Sequence, residues 1–474
     1  MRRGAVVLAG LLLTAGCGST SEAAAPATSS PALSSSAPST DAGGCPRERA
    51  APDPDRPVIG LTFSLAEDLR TVTGTETVVF TPDLPTDELV FRLVPNGPDS
   101  TALGNQLTVT AVRGEGVATT GYESAGAAAP GGLYVVTLTE RLAAGESITV
   151  ELGFTLRLAG GGFERLGTAD DVSWWASGAP LLAWEPGVGW ARDPFVALTG
   201  ETASSPASDT TISVDAPAAL TVLMTGDQDE PSWPRDGRRT WTSHEPVARD
   251  VSVAVGRFVT AETAVAGVRV TAGVLPGSGQ DPASLARGTA TAIGELSDRF
   301  GPFPYSSLTV PRLPGSGGGI EYPSSILLSS SDETVLVHEV AHMWFYGMVG
   351  NSQFRDPWLD EAFAGYAESV AGDPDPGRIV RRLALPGDVG GSMADFADDS
   401  SYVATVYGKG SAALLAARQA AGASLFDAAL RCYVDAQAWS IATPADVGAA
   451  LVDLPGAIAV LQQAGALDSE DLPG

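Results

Sequence analysis

The stretch His338-Glu339-Val340-Ala341-His342 sets two histidines four residues apart, with a glutamate directly after the first. Only three histidines occur among the 474 residues, and two of them fall here. Side chains four residues apart lie about one turn apart on the same face of a helix, so both imidazoles can reach one metal ion. Ser331 as the N-cap and Gly347 as the end predict a helix around this pattern.

A third ligand is expected further along the chain, because a catalytic zinc ion binds three protein side chains and keeps one position open for water. Glu361 follows nineteen residues later, within the largely apolar stretch Trp358-Leu359-Asp360-Glu361-Ala362-Phe363-Ala364-Gly365-Tyr366. A buried carboxylate needs a partner, which favours a role in metal binding. Asp360 and Glu368 are alternative ligands, or partners that orient the two histidines.

These motifs resemble those of the gluzincin metallopeptidases of the aminopeptidase N family, in which HExxH is followed by eighteen residues and then by Glu within WLxExFA. Upstream, Gly318-Gly319-Ile320-Glu321-Tyr322 is similar to the GxMEN segment of that family. Downstream, Val406-Tyr407-Gly408-Lys409-Gly410-Ser411 is similar to its YxKGA segment. The chain departs from the family motif where Asp360 replaces Asn. The resemblance covers roughly residues 57 to 460.

The resemblance implies one Zn²⁺ ion held by His338, His342 and Glu361. It also implies that Glu339 is the general base that takes a proton from the attacking water. Tyr407 would donate a hydrogen bond to the oxyanion that forms on the substrate carbonyl.

Substrate binding is implied by the same resemblance. Glu321 would pair with the free α-ammonium of a peptide, which restricts cleavage to the first residue. Gly318 and Gly319 would leave the backbone bare, so that an extended peptide can dock there as an added strand. Glu201 is a candidate for a second amine-binding acid, and the remaining histidine, His244, is assigned a structural role.

The predicted function is therefore that of a zinc-dependent aminopeptidase acting on peptides. An endopeptidase or oligopeptidase with an open site is an alternative, because few residues follow Tyr407 and the large helical C-terminal domain of the family is not expected. A binding lipoprotein that has lost catalysis on the same scaffold is a third reading.

The fold predicted is a multidomain α+β one. Residues 57–262 carry short β-branched and alternating stretches separated by turn residues, which predicts an all-β domain. In pattern this region resembles the N-terminal saddle domain of the same family, so the resemblance implies a β-saddle or sandwich. Helical patterns dominate residues 263–474, and the resemblance implies that they form a thermolysin-like, mostly helical catalytic domain.

The N-terminus predicts export. Arg2 and Arg3 precede a short apolar run that ends in Leu13-Thr14-Ala15-Gly16-Cys17, similar to the lipobox of bacterial lipoproteins. Residues 1–17 are thus predicted to be a lipoprotein signal peptide with Cys17 as the lipidated residue, which places the protein outside the cytoplasm on the membrane. Residues 18–56 are rich in Ser, Ala and Pro and predict a disordered tether.

Charge and cysteine content add two expectations. The formal net charge is −28, which disfavours binding to nucleic acid. Cys45 and Cys432 could form a disulfide in an oxidising compartment or remain two free thiols, and the sequence leaves both open. Nothing in the sequence indicates an oligomeric state.

Overall fold

The described part of the chain is a β-rich region followed by a mostly helical one. The structure is a computed structural model, and it describes residues 45, 48–160, 164–169, 171–200, 203–315, 317–372 and 374–473. The predicted signal peptide with Cys17, the tether as far as residue 44, and Glu201 lie outside the described residues. The multidomain α+β fold class predicted from the sequence is confirmed.

The β-rich region contains seventeen strands and one short helix in the described residues. Seven of the strands form one sheet in the order β15-β16-β13-β1-β2-β7-β4, and two four-stranded sheets have the orders β10-β3-β6-β5 and β14-β17-β9-β8. The elements are β1 (Val58–Leu65), β2 (Thr71–Phe80), β3 (Thr86–Arg92), α1 (Pro98–Leu103), β4 (Gln106–Arg113), β5 (Val117–Glu123), β6 (Leu133–Leu142), β7 (Ile148–Arg157), β8 (Leu166–Ala169), β9 (Val172–Ala176), β10 (Leu181–Leu182), β11 (Trp184–Glu185), β12 (Gly189–Trp190), β13 (Ser208–Pro217), β14 (Thr221–Met224), β15 (Asp227–Gln228), β16 (Arg238–Ala248) and β17 (Ser252–Gly256).

Period-two alternation builds the core of this region. In β1, Leu61, Phe63 and Leu65 are buried, and the residues between them are not. Phe63 packs against Phe154 and Trp175, with ring centroids 5.8 and 5.7 Å apart. Burying each such side chain contributes roughly 1.5–3 kcal/mol, so the alternation fixes which face of the sheet turns inward.

The mostly helical region begins with a five-stranded sheet in the order β18-β19-β20-β22-β21, whose first residue is Val259. Strand β21 lies at one edge of that sheet. The elements are β18 (Val259–Val265), β19 (Val268–Val274), α2 (Pro282–Phe300), β20 (Ser307–Pro311), β21 (Gly319–Tyr322), β22 (Ser325–Leu328), α3 (Glu333–Ala341), β23 (Gly350–Asn351), α4 (Trp358–Ala371), α5 (Pro376–Leu383), α6 (Asp399–Tyr402), a π-helical segment (Val403–Gly410), α7 (Ser411–Ala421), α8 (Ala423–Ala436), β24 (Ile441–Ala442), α9 (Pro444–Ala450) and α10 (Pro455–Gln463). Short 3₁₀ turns lie at Val94–Asn96, Met393–Asp395 and Ser469–Asp471.

The helix that carries the histidines differs at both ends from the one predicted. Asp332, not Ser331, is its N-cap and accepts a hydrogen bond from the Thr334 amide at 2.9 Å. The helix ends at Ala341 rather than near Gly347, and His342 is its C-cap with αR backbone angles. The two imidazoles therefore keep their one-turn spacing even though the second histidine stands at the helix end.

Arg249, which follows β16, connects the two regions. It is only 6% exposed, and its guanidinium donates hydrogen bonds to the carbonyl oxygens of Ser205, Met348 and Ser440 at 3.0, 3.3 and 2.9 Å. Met348 lies six residues beyond His342, so this arginine ties the β-rich region to the loop that follows the histidine helix. A buried guanidinium that satisfies several carbonyls holds such a junction in one geometry.

A disulfide bond joins Cys45 to Cys432, with Cα atoms 5.1 Å apart. The pairing that the sequence left open is therefore present in the structure. It links the start of the described chain to α8 near its end. Among the described residues, none of the helices has the length and apolar character needed to cross a membrane.

Candidate metal centre and active site

Helices α3 and α4 bring three donor atoms together. His338 Nε2 lies 3.3 Å from Glu361 Oε2, and His342 Nε2 lies 3.6 Å from the same oxygen. The three donor atoms lie within 4.8 Å of one another. A tetrahedral zinc ion with ligand bonds of 2.0–2.1 Å separates its ligand atoms by about 3.3–3.4 Å. The spacing and the donor types thus fit a zinc ion.

Asp360 and Glu368 contact the outer nitrogens of the two histidines. Asp360 Oδ1 lies 2.5 Å from His342 Nδ1, and Glu368 Oε2 lies 3.4 Å from His338 Nδ1. Because each histidine turns its Nε2 towards Glu361, these two acids orient the imidazoles of the two candidate ligands and are not part of the three-atom group.

The charges in this cluster shift the pKa values of its members. Burial lowers the pKa of His338, but hydrogen bonds to Glu361 and Glu368 outweigh burial and raise it to about 10. Burial raises the pKa of Glu361, but its contacts with His338 and His342 outweigh burial and lower it. The cluster therefore keeps Glu361 as an anion, which is the form that binds a metal.

Glu339 lies beside the histidines and faces the glycine segment of β21. It is 5% exposed, and its Oε2 has no hydrogen-bond partner among the described residues. Burial raises its pKa, while His338 and His342 act in the opposite direction. A Cβ atom on Gly319 would come within 2.3 Å of Glu339 Cγ. Glycine at 319 is thus needed to leave room for the Glu339 side chain, besides the role predicted for it in peptide docking.

Glu321 lies in the same cleft on strand β21. It is 5% exposed, and carboxylate oxygens of Glu321 and Glu339 lie within 4.8 Å of each other and of a His342 ring nitrogen. On the inner side, the Gly318 carbonyl accepts hydrogen bonds from the amides of Ser329 and Ser330 at 2.8 and 2.9 Å. Since β21 is the edge strand, its other side is the one along which a peptide can lie.

Tyr407 lies on the π-helical segment, where its hydroxyl donates a hydrogen bond to Glu361 Oε1 at 2.5 Å. Its ring is stacked near that of His338, with centroids 6.2 Å apart. Burial and the Glu361 charge raise the pKa of Tyr407, so the hydroxyl keeps its proton. A protonated phenol beside the candidate metal ligands can donate a hydrogen bond to a developing negative charge.

The cleft that contains Glu321, Glu361 and Tyr407 has a volume of about 540 Å³ and is lined by both regions of the chain. From the β-rich side its lining includes Val94, Asp99, Glu164, Phe195 and Leu198. His244 lies elsewhere, on the exposed part of β16, where its Nε2 is 2.7 Å from Asp209 Oδ1.

Gln353 and the cleft residues of the β-rich region were missed in the sequence. Gln353 is 3% exposed and its Nε2 donates a hydrogen bond to Asp360 Oδ2 at 2.7 Å. Its place between the histidine helix and Trp358–Ala371 was a signal that it could face the site. No local sequence pattern marks the cleft residues of the β-rich region. They line the cleft because the fold brings them close to residues that are more than a hundred positions away in the sequence.

Comparisons with known proteins agree with this geometry. The family model described as "Peptidase family M1 domain" matches residues 322–379. Bovine aminopeptidase N is 40% identical over 62 residues, which are 13% of this chain and 6% of that protein. Rat aminopeptidase N is 36% identical over 83 residues, 17% of this chain and 9% of that protein. The matches thus span less than a tenth of the length of these curated relatives.

Solved structures show the same fold over nearly the whole chain. The crystal structure of an M1 zinc metallopeptidase from Deinococcus radiodurans has a TM-score of 0.65 at 20% identity, covering 91% of this chain and 96% of that one. A variant of the Deinococcus radiodurans enzyme bound to a Tyr-Ser-Ala substrate has a TM-score of 0.64 at 21% identity, with coverage of 91% and 96%. Residues 322–379, which contain the three candidate metal ligands, match the peptidase family M1 domain, and the resemblance of the chain to the gluzincin metallopeptidases of the aminopeptidase N family is confirmed.

Proposed function

We propose that this protein is a zinc-dependent aminopeptidase that removes N-terminal residues from peptides. The observation that carries the proposal is the spacing of 3.3 and 3.6 Å between Glu361 Oε2 and the two histidine Nε2 atoms, in a cleft that also contains Glu321 and Tyr407. The related aminopeptidases N and the solved structure with a bound Tyr-Ser-Ala substrate support peptides as the substrate class.

His338, His342 and Glu361 would hold the ion. One zinc ion there supplies Lewis acidity towards a water molecule and the scissile carbonyl. Glu339 is buried, and one of its carboxylate oxygens has no hydrogen-bond partner among the described residues. It accepts a proton from the water molecule as the water oxygen bonds to the carbonyl carbon, and it delivers that proton to the leaving amine as the C–N bond breaks. Tyr407 donates its hydrogen bond to the carbonyl oxygen as negative charge develops.

Glu321 is the residue that would restrict cleavage to the first peptide bond of the substrate. Its carboxylate lies next to Glu339, so a peptide whose α-ammonium pairs with Glu321 has its first peptide bond close to the base. A charge-assisted hydrogen bond between these groups favours a free amine over a blocked one.

The test uses the purified protein, measured for zinc content, with aminoacyl chromogenic substrates and with their N-acetylated forms. We expect cleavage of the free-amine substrates, loss of cleavage with a chelator and recovery on adding zinc. Equal cleavage of acetylated peptides supports an endopeptidase instead, and no cleavage by zinc-loaded protein supports a binding lipoprotein without catalysis.

We also propose that the protein is held outside the cytoplasm by a lipid on Cys17. The support is the lipobox-like sequence before Cys17, together with the Cys45–Cys432 disulfide, which is typical of oxidising compartments. Labelling of expressing cells with a fatty acid should mark the wild-type protein and leave Cys17→Ser unlabelled. Labelling of both proteins would contradict the assignment.

A further inference from the structure

The chain of hydrogen bonds behind His342 runs in one fixed direction. Asn351 Nδ2 donates to the Asp356 carbonyl at 2.9 Å, which leaves Asn351 Oδ1 as an acceptor. Gln353 Nε2 donates to that Oδ1 at 3.1 Å and to Asp360 Oδ2 at 2.7 Å. Both hydrogens of the Gln353 amide are therefore used, and turning the amide over would place its oxygen against Asn351 Oδ1.

Asp360 receives hydrogen bonds from two sides. Gln353 donates to one carboxylate oxygen, and His342 Nδ1 lies 2.5 Å from the other. All three side chains are at least 97% buried, so water does not replace a missing partner. Residue 360 must therefore present two acceptors, which a carboxylate does and an amide does not.

We propose that Asp360 and Gln353 form a positioning pair that holds His342 with its Nδ1 protonated and its Nε2 lone pair directed at the metal. The pair rests on the metal site of the proposed function, and it explains why the chain carries Asp where the family motif has Asn. An asparagine in place of Asp360 would turn its NH₂ group towards either the His342 N–H or the Gln353 amide, leaving two buried donors facing each other.

The backbone of Gln353 ties this pair to the rest of the protein. The Gln353 backbone amide donates to Ser204 Oγ at 3.2 Å, and Ser204 lies in the β-rich region, shortly before β13 begins at Ser208. The orientation of His342 is thereby connected to the junction between the two regions. The hydrogen bond from the Gln353 side chain to Asp360 is the physical reason to expect an effect of Gln353 on a metal that it does not touch.

The test is the zinc dissociation constant, measured at one pH by competition with a fluorescent zinc chelator. We expect Asp360→Asn to weaken zinc binding about 10- to 100-fold and Gln353→Leu to weaken it less. In the double variant, the introduced asparagine can give its oxygen to His342 without facing the Gln353 amide. The fold loss of zinc affinity in the double variant should then be smaller than the product of the fold losses in the two single variants.

A matched control is Glu76→Gln, which removes a carboxylate that is 2% exposed in β2 of the β-rich region. It should keep the zinc affinity of the wild type, and thermal unfolding of the ion-free variants shows whether each is folded. Wild-type affinity in Asp360→Asn, or in Gln353→Leu if the first variant does not fold, overturns the pair. The pair is also overturned if the fold loss of zinc affinity in the double variant equals the product of the fold losses in the two single variants.

The outcomes separate this inference from the proposed function. A wild-type protein that binds zinc but cleaves no peptide contradicts the function, and a loss of affinity in the two variants still supports the pair. A wild-type protein that does not bind zinc overturns both.

Discussion

The β-rich region and the metal site both bury glutamates, but the surroundings of those glutamates differ. Glu76 and Glu245 in the β-rich region are 2% and 4% exposed, and Glu361 in the metal site is 6% exposed. Burial raises the pKa of Glu76 well above its usual value and that of Glu245 to about 7. The pKa of Glu361 is lowered, because two imidazoles face it.

Depth of burial therefore does not decide whether a glutamate in this protein is charged. The low-dielectric interior disfavours the anion at all three positions, and only at Glu361 do the hydrogen bond with His338 and the nearby charge of His342 reverse the effect. A buried anion among imidazoles is a binding site for a cation, whereas a buried neutral acid is a structural group.

Removing the charge of Glu361 should have the largest effect on the difference between these two regions. Glu361→Gln should weaken zinc binding by more than about 100-fold and abolish peptide cleavage, because it removes a ligand and the anion opposite the imidazoles. Glu76→Gln, measured with the same chelator competition, should bind zinc as the wild type does. Equal losses in both variants would show that the two regions do not differ in this respect.

Glu339 separates the binding of the ion from the chemistry. Glu339→Gln should lower kcat by about 10²–10⁴-fold, since the amide cannot take a proton from water, while one zinc ion per chain is retained. Steady-state kinetics together with metal analysis of the same sample measure both effects. Unchanged turnover would remove Glu339 from the mechanism.

Tyr407 tests whether a hydroxyl beside Glu361 acts on the reaction. Tyr407→Phe should lower kcat by about 10²–10³-fold, because the oxyanion loses a hydrogen-bond donor that is already held in place. Tyr433→Phe is the control, since the Tyr433 side chain is buried and its hydroxyl has no hydrogen-bond partner among the described residues. A loss of similar size in both variants would assign Tyr407 a packing role.

Glu245 tests whether a buried glutamate of the β-rich region is neutral, through the pH dependence of the protein's stability. Its pKa rises from 4.5 to about 7 in the folded protein, so between these values the folded state binds more protons than the unfolded state. Its contribution to stability is thus full below pH 4.5 and is lost as the pH rises to 7, a change of about 3 kcal/mol. Glu245→Gln should lack this change and be more stable than the wild type at pH 8.

Urea unfolding at pH 5 and pH 8, followed by tryptophan fluorescence, measures this difference. The free energy of unfolding of Glu245→Gln should exceed that of the wild type by more at pH 8 than at pH 5. An equal gain at both values would show that Glu245 is ionised in the folded protein at pH 5.

Regular spacing made part of this protein predictable. Short β-branched and alternating stretches within residues 57–262 predicted the β-rich region, and the fold class is confirmed. The spacing of the histidines and the apolar surroundings of Glu361 predicted a group that the structure does bring together. These signals are readable because each depends on neighbours within a few residues or on a motif of fixed length.

Helix ends and outer contacts were less predictable. Asp332 rather than Ser331 caps the histidine helix, a shift of one residue that either polar side chain allowed. The direction of the hydrogen bonds through Gln353 depends on Asn351, whose own orientation is fixed by the Asp356 carbonyl. The spacing of residues along the chain does not reveal that the hydrogen bonds of Gln353 depend on the orientation of Asn351.

The sequence by itself determined which residue types can bind a metal, how far apart they lie along the chain, and which stretches form strands and helices. Only the tertiary structure decided that Glu361 faces both imidazoles, that Gly319 leaves room for Glu339, and that Cys45 bonds to Cys432. The reason is physical: periodicity acts over one or two turns of backbone, whereas these contacts depend on how separate elements pack at distances of a few ångströms.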